Sequence, residues 1–310
     1  MASTTSDPAR PGAPAPAPAG AGAGATALPA PTARIRVPAG GWRSDLRAVR
    51  IVWKRELLRY KGDRLRIVTS LFQPFLFLFV LGGGLANIAS GGTEGVDLRT
   101  FMFPGALAMA VLFTAIFSAA SVVWDREYGF LREMLVAPVR RGSIVIGKCL
   151  GGATVAGIQG LIVIALAPLV HVPYSFGMIV ELILLLILLA FTVTAFGVMA
   201  AARITQMQSF MALTQMLLMP LLFLSGALFP VTGLPQWLEV LNRVDPLTYI
   251  VDPIRHTVFA QLDISDAARL KLNPGVNWWG WHVPIAAEIG LVAVTAVVML
   301  WIAIAQFRRA

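Results

Sequence analysis

The sequence predicts an all-α integral membrane chain: six transmembrane helices preceded by an interfacial amphipathic helix. Three observations predict it. The 310 residues are 57 % hydrophobic and 13 % charged, with a mean hydropathy of +0.75, whereas soluble chains carry roughly 25 % charged residues. Six stretches, at about 67–86, 102–123, 149–170, 177–202, 209–230 and 284–307, approach the ~20 apolar residues that a helix needs to cross a bilayer. The basic residues also segregate. With the amino terminus inside, the inner segments 1–66, 124–148, 203–208 and 308–310 hold 12, 5, 1 and 2 Lys+Arg, and the outer segments 87–101, 171–176 and 231–283 hold 1, 0 and 4. This asymmetry places both termini in the cytoplasm of a multi-pass protein of the cell (plasma or inner) membrane. The formal net charge of +9 is thereby an orientation signal and not a nucleic-acid footprint. One cysteine excludes a disulfide framework, and His171, His256 and His282 show no metal-ligand spacing.

Residues 1–42 form an Ala/Pro/Gly-rich tail in which eight of the twenty prolines fall before Trp42. Such a segment has too little apolar side chain to offset its chain entropy, which predicts disorder. It lacks the basic start and apolar core of a secretory signal. Residues 43–62 follow as a helix. Leu46, Val49, Trp53, Leu57 and Tyr60 recur every three or four positions, while Arg43, Arg47, Arg50, Lys54, Arg55, Arg59 and Lys61 fill the remainder. The pattern suits a helix lying in the membrane interface against anionic lipid; a solvated surface helix is the alternative. In the spans, Pro74 and Pro220 introduce kinks.

Between the second and third spans runs Trp124-Asp-Arg-Glu-Tyr-Gly-Phe-Leu-Arg-Glu-Met-Leu-Val-Ala-Pro-Val-Arg-Arg141. Trp124, Tyr128, Leu131 and Leu135 share one helical face, and Pro138 ends the helix near Ala137, so a short amphipathic helix is expected over 124–137. By pattern alone it is either a partner-binding element or a cover for the bundle end. Next, Gly142-Ser-Ile-Val-Ile-Gly-Lys-Cys149 nearly spells a phosphate-binding loop. Cys149 stands where the magnesium-binding hydroxyl belongs, and no strand precedes it. Lys148 is expected to snorkel from the inner end of the third span. The glycines of that span, Gly147, Gly151, Gly152, Gly157 and Gly160, predict close helix packing, within the chain or across a dimer. Glu181 and Glu288 lie near the outer ends of their spans. Either water at the interface solvates them, or they line an outer vestibule with Gln73, Gln159 or Gln215. Trp237, Trp278, Trp279 and Trp281 fall at the outer interface, where indoles prefer to sit.

The 124–141 segment resembles the inner loop of the membrane subunit of type 2 ATP-binding-cassette (ABC-2) exporters. The resemblance rests on Asp125, Arg126, Glu127, Gly129, Leu131, Met134, Leu135, Pro138 and Arg141, with departures at Phe130, Arg132 and Ala137. Leu224-Ser-Gly-Ala-Leu-Phe-Pro230, Pro235-Gln-Trp-Leu238, Asp245-Pro-Leu-Thr-Tyr249 and Asp252-Pro-Ile-Arg255 resemble the broken fifth span and re-entrant helices of that family, here over 224–283. The likeness covers about 43–310 and is strongest to the drug-resistance (daunorubicin-type) and lipo-oligosaccharide export branch. It implies an ABC-2 exporter fold and a permease subunit that moves a drug, lipid or glycolipid-like substrate out of the cytoplasm. It also implies a chain that is not itself an enzyme and holds no cofactor, with ATP and Mg on two separate ATPase subunits per complex. The permease would pair as a homodimer or with a similar chain, contacting membrane lipid and no nucleic acid. Residues 124–137 would be the coupling helix, with Arg126, Glu127 and Arg132 as charged contacts and Tyr128, Leu131 and Leu135 as anchors. An ion-gradient-driven secondary transporter is the alternative; it needs charged residues deep in the spans. A membrane scaffold is a third reading.

Overall fold

The computed structural model describes residues 41–84, 96–130, 134, 139–228, 235–278 and 280–309. Among them, six helices are long and apolar enough to cross a membrane: Arg64–Gly84, Leu98–Glu127, Arg141–Ile164, Phe176–Ala201, Met207–Leu224 and Ile285–Arg308. The protein is an all-α membrane protein. Its strands are limited, among the described residues, to the two-residue pair β1 (Asn277–Trp278) and β2 (Trp281–His282).

Helix α1 (Trp42–Gly62) stops at Asp63, whose carboxylate accepts the Arg66 N–H at 3.0 Å and so caps α2 (Arg64–Leu76). Pro74 removes one helical donor, and the chain continues through a π-helical turn, Phe77–Leu81, to Gly82–Gly84. Asp97 caps α3 (Leu98–Ala119), which passes through one turn at Ala120 into α4 (Ser121–Glu127). Then come α5 (Arg141–Ile164), α6 (Phe176–Ala201) and α7 (Met207–Leu224). Short helices follow: α8 (Gln236–Val244), α9 (Thr248–Phe259) and α10 (Asp266–Leu272). The β1–β2 hairpin leads into α11 (Ile285–Arg309).

Helix α3 is the axis of the bundle, with Phe101, Phe103, Leu107, Met109 and Leu112 all buried. Helices α5 and α6 pack on it and on each other, α11 covers α6 and α5, and α9 wedges among α3, α6 and α11. The glycine stripe of α5 divides its partners by face. Gly147 and Gly151 receive Val52 and Glu56 of α1, Gly152 receives Thr194 and Ser118, and Gly160 receives Leu186 and Val111. This part of the stripe thus serves packing within one chain. Helices α2 and α7 bury few of their residues and leave long apolar faces uncovered, including Leu65, Val68 and Phe72 on α2 and Met216 and Phe223 on α7.

Several expectations are corrected. The third membrane-crossing helix begins at Arg141 and not at 149, because the charge of Lys148 is neutralised inside the bundle and does not force the helix into water. The face that α1 turns into the bundle, Ala48, Val52, Glu56 and Tyr60, contains an acid and shares only Tyr60 with the apolar pattern, while Leu46 is exposed. The helix expected over 124–137 is interrupted after Glu127, where the chain turns through Gly129 at φ +82°, a backbone conformation that favours glycine, before Phe130 is helical again; most of 131–138 lies outside the described residues. Leu131, Arg132, Leu135 and Trp279 lie outside the described residues.

Candidate functional site

Two polar clusters occupy opposite ends of the bundle. At the end where α1, α4 and the last turn of α11 lie, Lys148 is 4 % exposed. Its ammonium donates to Glu56 Oε1 of α1 at 2.7 Å, to Ser121 Oγ of α4 at 2.8 Å and to Asp125 Oδ2 of α4 at 2.5 Å. Snorkelling is therefore replaced by an internal ion cluster. All three ammonium protons are used. Asp125 also accepts from Arg55, and Arg59 lies 3.7 Å from its other oxygen while stacking 4.9 Å over Trp124. A lysine buried this deeply is tolerated only because oxygens surround it.

The chain leaving α4 is rooted on both sides. Arg126 donates to the Ala202 and Ile204 carbonyls at 2.9 and 3.2 Å, capping the end of α6, where free carbonyls favour a cation. On the return, the Arg140 side chain pairs with Asp45 of α1 at 3.3 Å, and Arg141 donates to Phe307 O of α11 at 2.9 Å. Between these roots Glu127 is exposed, Tyr128 is 72 % exposed and Phe130 53 % exposed. Two aromatics and an acid are thus presented at and just beyond the end of α4, next to the charge-fixed Asp125 and Arg126. The motif residues divide by role: Asp125 and Arg126 hold the loop, while Glu127 and Tyr128 face outward.

At the far end the break after α7 frees backbone carbonyls that side chains then occupy. Asn242 donates to Leu224 O at 2.5 Å, and buried Arg255 donates to Gly226 O while lying 5.0 Å over the Phe101 ring. Thr248 Oγ1 donates to Asn242 O, Tyr249 donates to Arg243 O, and Trp278 donates to Tyr249 at 2.8 Å. Gly105 of α3 makes the fit possible, since a Cβ there would lie 1.6 Å from Ala227 O.

The five residues offered as a substrate path are not brought together. Gln73, Glu181 and Gln215 are exposed on α2, α6 and α7. Gln159 is buried and accepts from Tyr60 at 2.9 Å. Glu288 is wholly buried against Asp252, which corrects interfacial solvation for that residue. Gln73 does border a groove of about 510 Å³ between α2 and α3 with Arg66, Phe113 and Phe117. Gly142–Cys149 is regular helix within α5 and forms no phosphate-binding turn. No group of three or more His, Cys, Asp or Glu suited to a metal occurs among the described residues.

The family model for the ABC-2 type transporter matches residues 47–259, from within α1 to the end of α9, and so covers both clusters apart from Trp278. The chain belongs to the ABC-2 type transporter family. This ABC-2 permease is 29 % identical to nodulation protein J of Rhizobium leguminosarum bv. viciae, over 73 % of this chain and 85 % of that protein. It is 26 % identical to the inner membrane transport permease YadH of Escherichia coli (strain K12), over 67 % and 82 %. To the putative transport permease ycf38 of Cyanophora paradoxa it is 28 % identical, over 66 % and 72 %.

Signals for the missed residues of the ABC-2 permease were slight. Lys148 and Arg255 are charged residues in largely apolar surroundings, which is a hint of internal pairing, but the groups they bind are remote in sequence, and Glu56 is hidden among the basic residues of α1. Asp245 is buried, and accepts the Leu247 N–H at 2.9 Å. Burial pushes its carboxyl up to about 7, opposed by that hydrogen bond. Because the folded state binds the proton more tightly, the stabilisation is full below the unfolded value of 3.8 and is lost as pH rises through about 7. Asp252 is raised in the same direction, chiefly by burial. Thermal melts of the detergent-solubilised permease should show Asp245→Asn losing part of the decline in melting temperature between about pH 4 and about pH 7. An unchanged pH profile contradicts the assignment.

Proposed function

We propose that this chain is the permease subunit of an ATP-driven exporter, with its termini and the 124–140 loop in the cytoplasm. The loop docks onto a separate ATPase subunit, two of which serve a complex of two paired permeases. ATP and Mg belong to those subunits, and the permease carries no cofactor and no hydrolytic chemistry. A drug, lipid or glycolipid-like molecule is the substrate, moved outward. Family membership and an inner-membrane permease relative support this reading. One observation carries the docking surface: Glu127, Tyr128 and Phe130 stand exposed at the end of α4, where Asp125 and Arg126 are held by the bundle, while Arg140 and Arg141 are held at the start of α5. Aromatic side chains held in the open are typical anchors of an interface, and a rim acid sets register and encounter rate.

In the cycle, ATP binding draws the two ATPases together, the loops follow, and the spans exchange inward- and outward-open arrangements. The test is capture of the ATPase by the tagged permease in lipid nanodiscs. Tyr128→Ala with Phe130→Ala should weaken capture by about 30-fold, equivalent to about 2 kcal/mol, the scale of one hot-spot residue. Glu127→Ala should mainly slow association. Capture that is indifferent to all three substitutions refutes the docking surface.

A further inference from the structure

We infer that Lys148 is a positioning residue that gears the 124–130 loop to α1, and through α1 to α2, so that α2 is the span the loop moves. This rests on the proposed docking of an ATPase at that loop. Displacement of Glu127–Phe130 has two routes into the bundle. The first runs along α4 into α3, the most buried span, which is packed by α5, α6 and α9 and has little room to shift. The second runs through side chains. Asp125 sits on the buried face of α4, and Lys148 holds it, Ser121 and Glu56 with a single ammonium. Arg55 and Arg59, one turn apart on α1, close on the same Asp125 carboxylate.

Helix α1 is equally fastened to α5. A Cβ on Gly151 would lie 2.7 Å from Glu56 Cβ, and one on Gly147 would lie 2.8 Å from Val52 Cβ. Lys148 is therefore the point on α5 at which α4 and α1 are linked, so that a displacement of α4 is passed to α1 there. Helix α1 ends at Gly62 and α2 begins at Arg64, separated only by Asp63, so a shift of α1 is handed directly to α2. Helix α2 buries little of itself and borders the groove holding Gln73 and Arg66. The loosely held span is thus attached to the driven helix.

The experiment uses the full chain in lipid nanodiscs with the ATPase that co-purifies with it. The single native cysteine, buried Cys149, is replaced by serine, and exposed Phe72 of α2 becomes Phe72→Cys carrying an environment-sensitive fluorophore. ATP addition should shift the label's emission in the parent chain. Lys148→Met should remove most of that shift, while capture of the ATPase falls far less. Lys148→Arg should restore part of the shift. If Lys148→Met does not fold, the neutral triple variant Glu56→Gln, Asp125→Asn, Lys148→Met takes its place, with the same loss of shift expected. An undiminished shift in either variant, with the ATPase bound, overturns the inference alone. A parent chain that captures no ATPase overturns the docking proposal, and this inference with it.

Discussion

Gly105→Ala is expected to destabilise the protein by about 3 kcal/mol or more, beyond what overpacking by one methyl ordinarily costs. The added Cβ would lie 1.6 Å from Ala227 O, 2.5 Å from Ala227 C and 3.2 Å from Ala227 Cα. These are backbone atoms and no rotamer change can clear them. Relief requires the turn after α7 to withdraw from α3, which breaks the Arg255 contact with Gly226 O and the Asn242 contact with Leu224 O. Carbonyls left without donors in apolar surroundings then add their own cost. Two comparisons make the prediction specific. Gly152→Ala meets a side chain, Thr194 Cγ2 at 2.5 Å, and should cost less, because a side chain can give way. Gly290→Ala meets nothing within 4 Å and should be neutral or stabilising by up to about 1 kcal/mol, since alanine has less conformational entropy to lose than glycine when the helix forms. Fluorescence-detected size exclusion after graded heating ranks all three. Gly105→Ala melting with Gly290→Ala would remove Gly105 from the account.

Arg255→Leu is the second large effect, at about 3–5 kcal/mol, the range for removing one partner of a buried ionic contact. The guanidinium is 2 % exposed, caps Gly226 O, lies over Phe101 and faces Asp252. Burial pulls its pKa down to about 10 against the opposing pull of Asp252, so it stays cationic at neutral pH. Leucine is shorter, so it leaves a cavity as well as a carbonyl without a donor and an acid without a counter-charge. Lysine should rescue only in part, because a compact ammonium cannot both cap the carbonyl and lie flat on the ring. Adding Asp252→Asn to Arg255→Leu should recover some stability, giving a sub-additive cycle. Strict additivity would mean that the two groups do not interact.

Much of the architecture was legible because it depends on local periodicity. Six apolar runs became six long helices, and the basic residues cluster where α1, α4 and the end of α11 meet. The motif tract 124–130 was also found from pattern, yet its division into anchoring and presented residues was not. Asp125 and Glu127 look alike in sequence, and only the fold shows one under Lys148 and the other in the open. Lys148 looked like a snorkelling residue because its acids, at positions 56 and 125, lie on other helices. Glu288 looked interfacial for a related reason: its depth is readable along its own span, but its neighbour Asp252 belongs to α9. Helical periodicity passes through Gly129 without interruption, whereas the backbone there turns to positive φ and breaks the helix between Glu127 and Phe130. Gly105 carried no signal, since the carbonyl it admits belongs to a turn more than a hundred residues later.

The position of Lys148 also bears on how the chain is made. A lysine at the centre of a span opposes insertion into the bilayer by roughly 3 kcal/mol, and Lys148 lies about two helical turns inside α5. Both of its acids, Glu56 and Asp125, precede it in synthesis. When α5 leaves the ribosome, the oxygens that neutralise it have already been delivered with α1 and α4. The order of residues along the chain thus supplies the counter-ions before the cation, and biogenesis need never leave that ammonium bare in lipid.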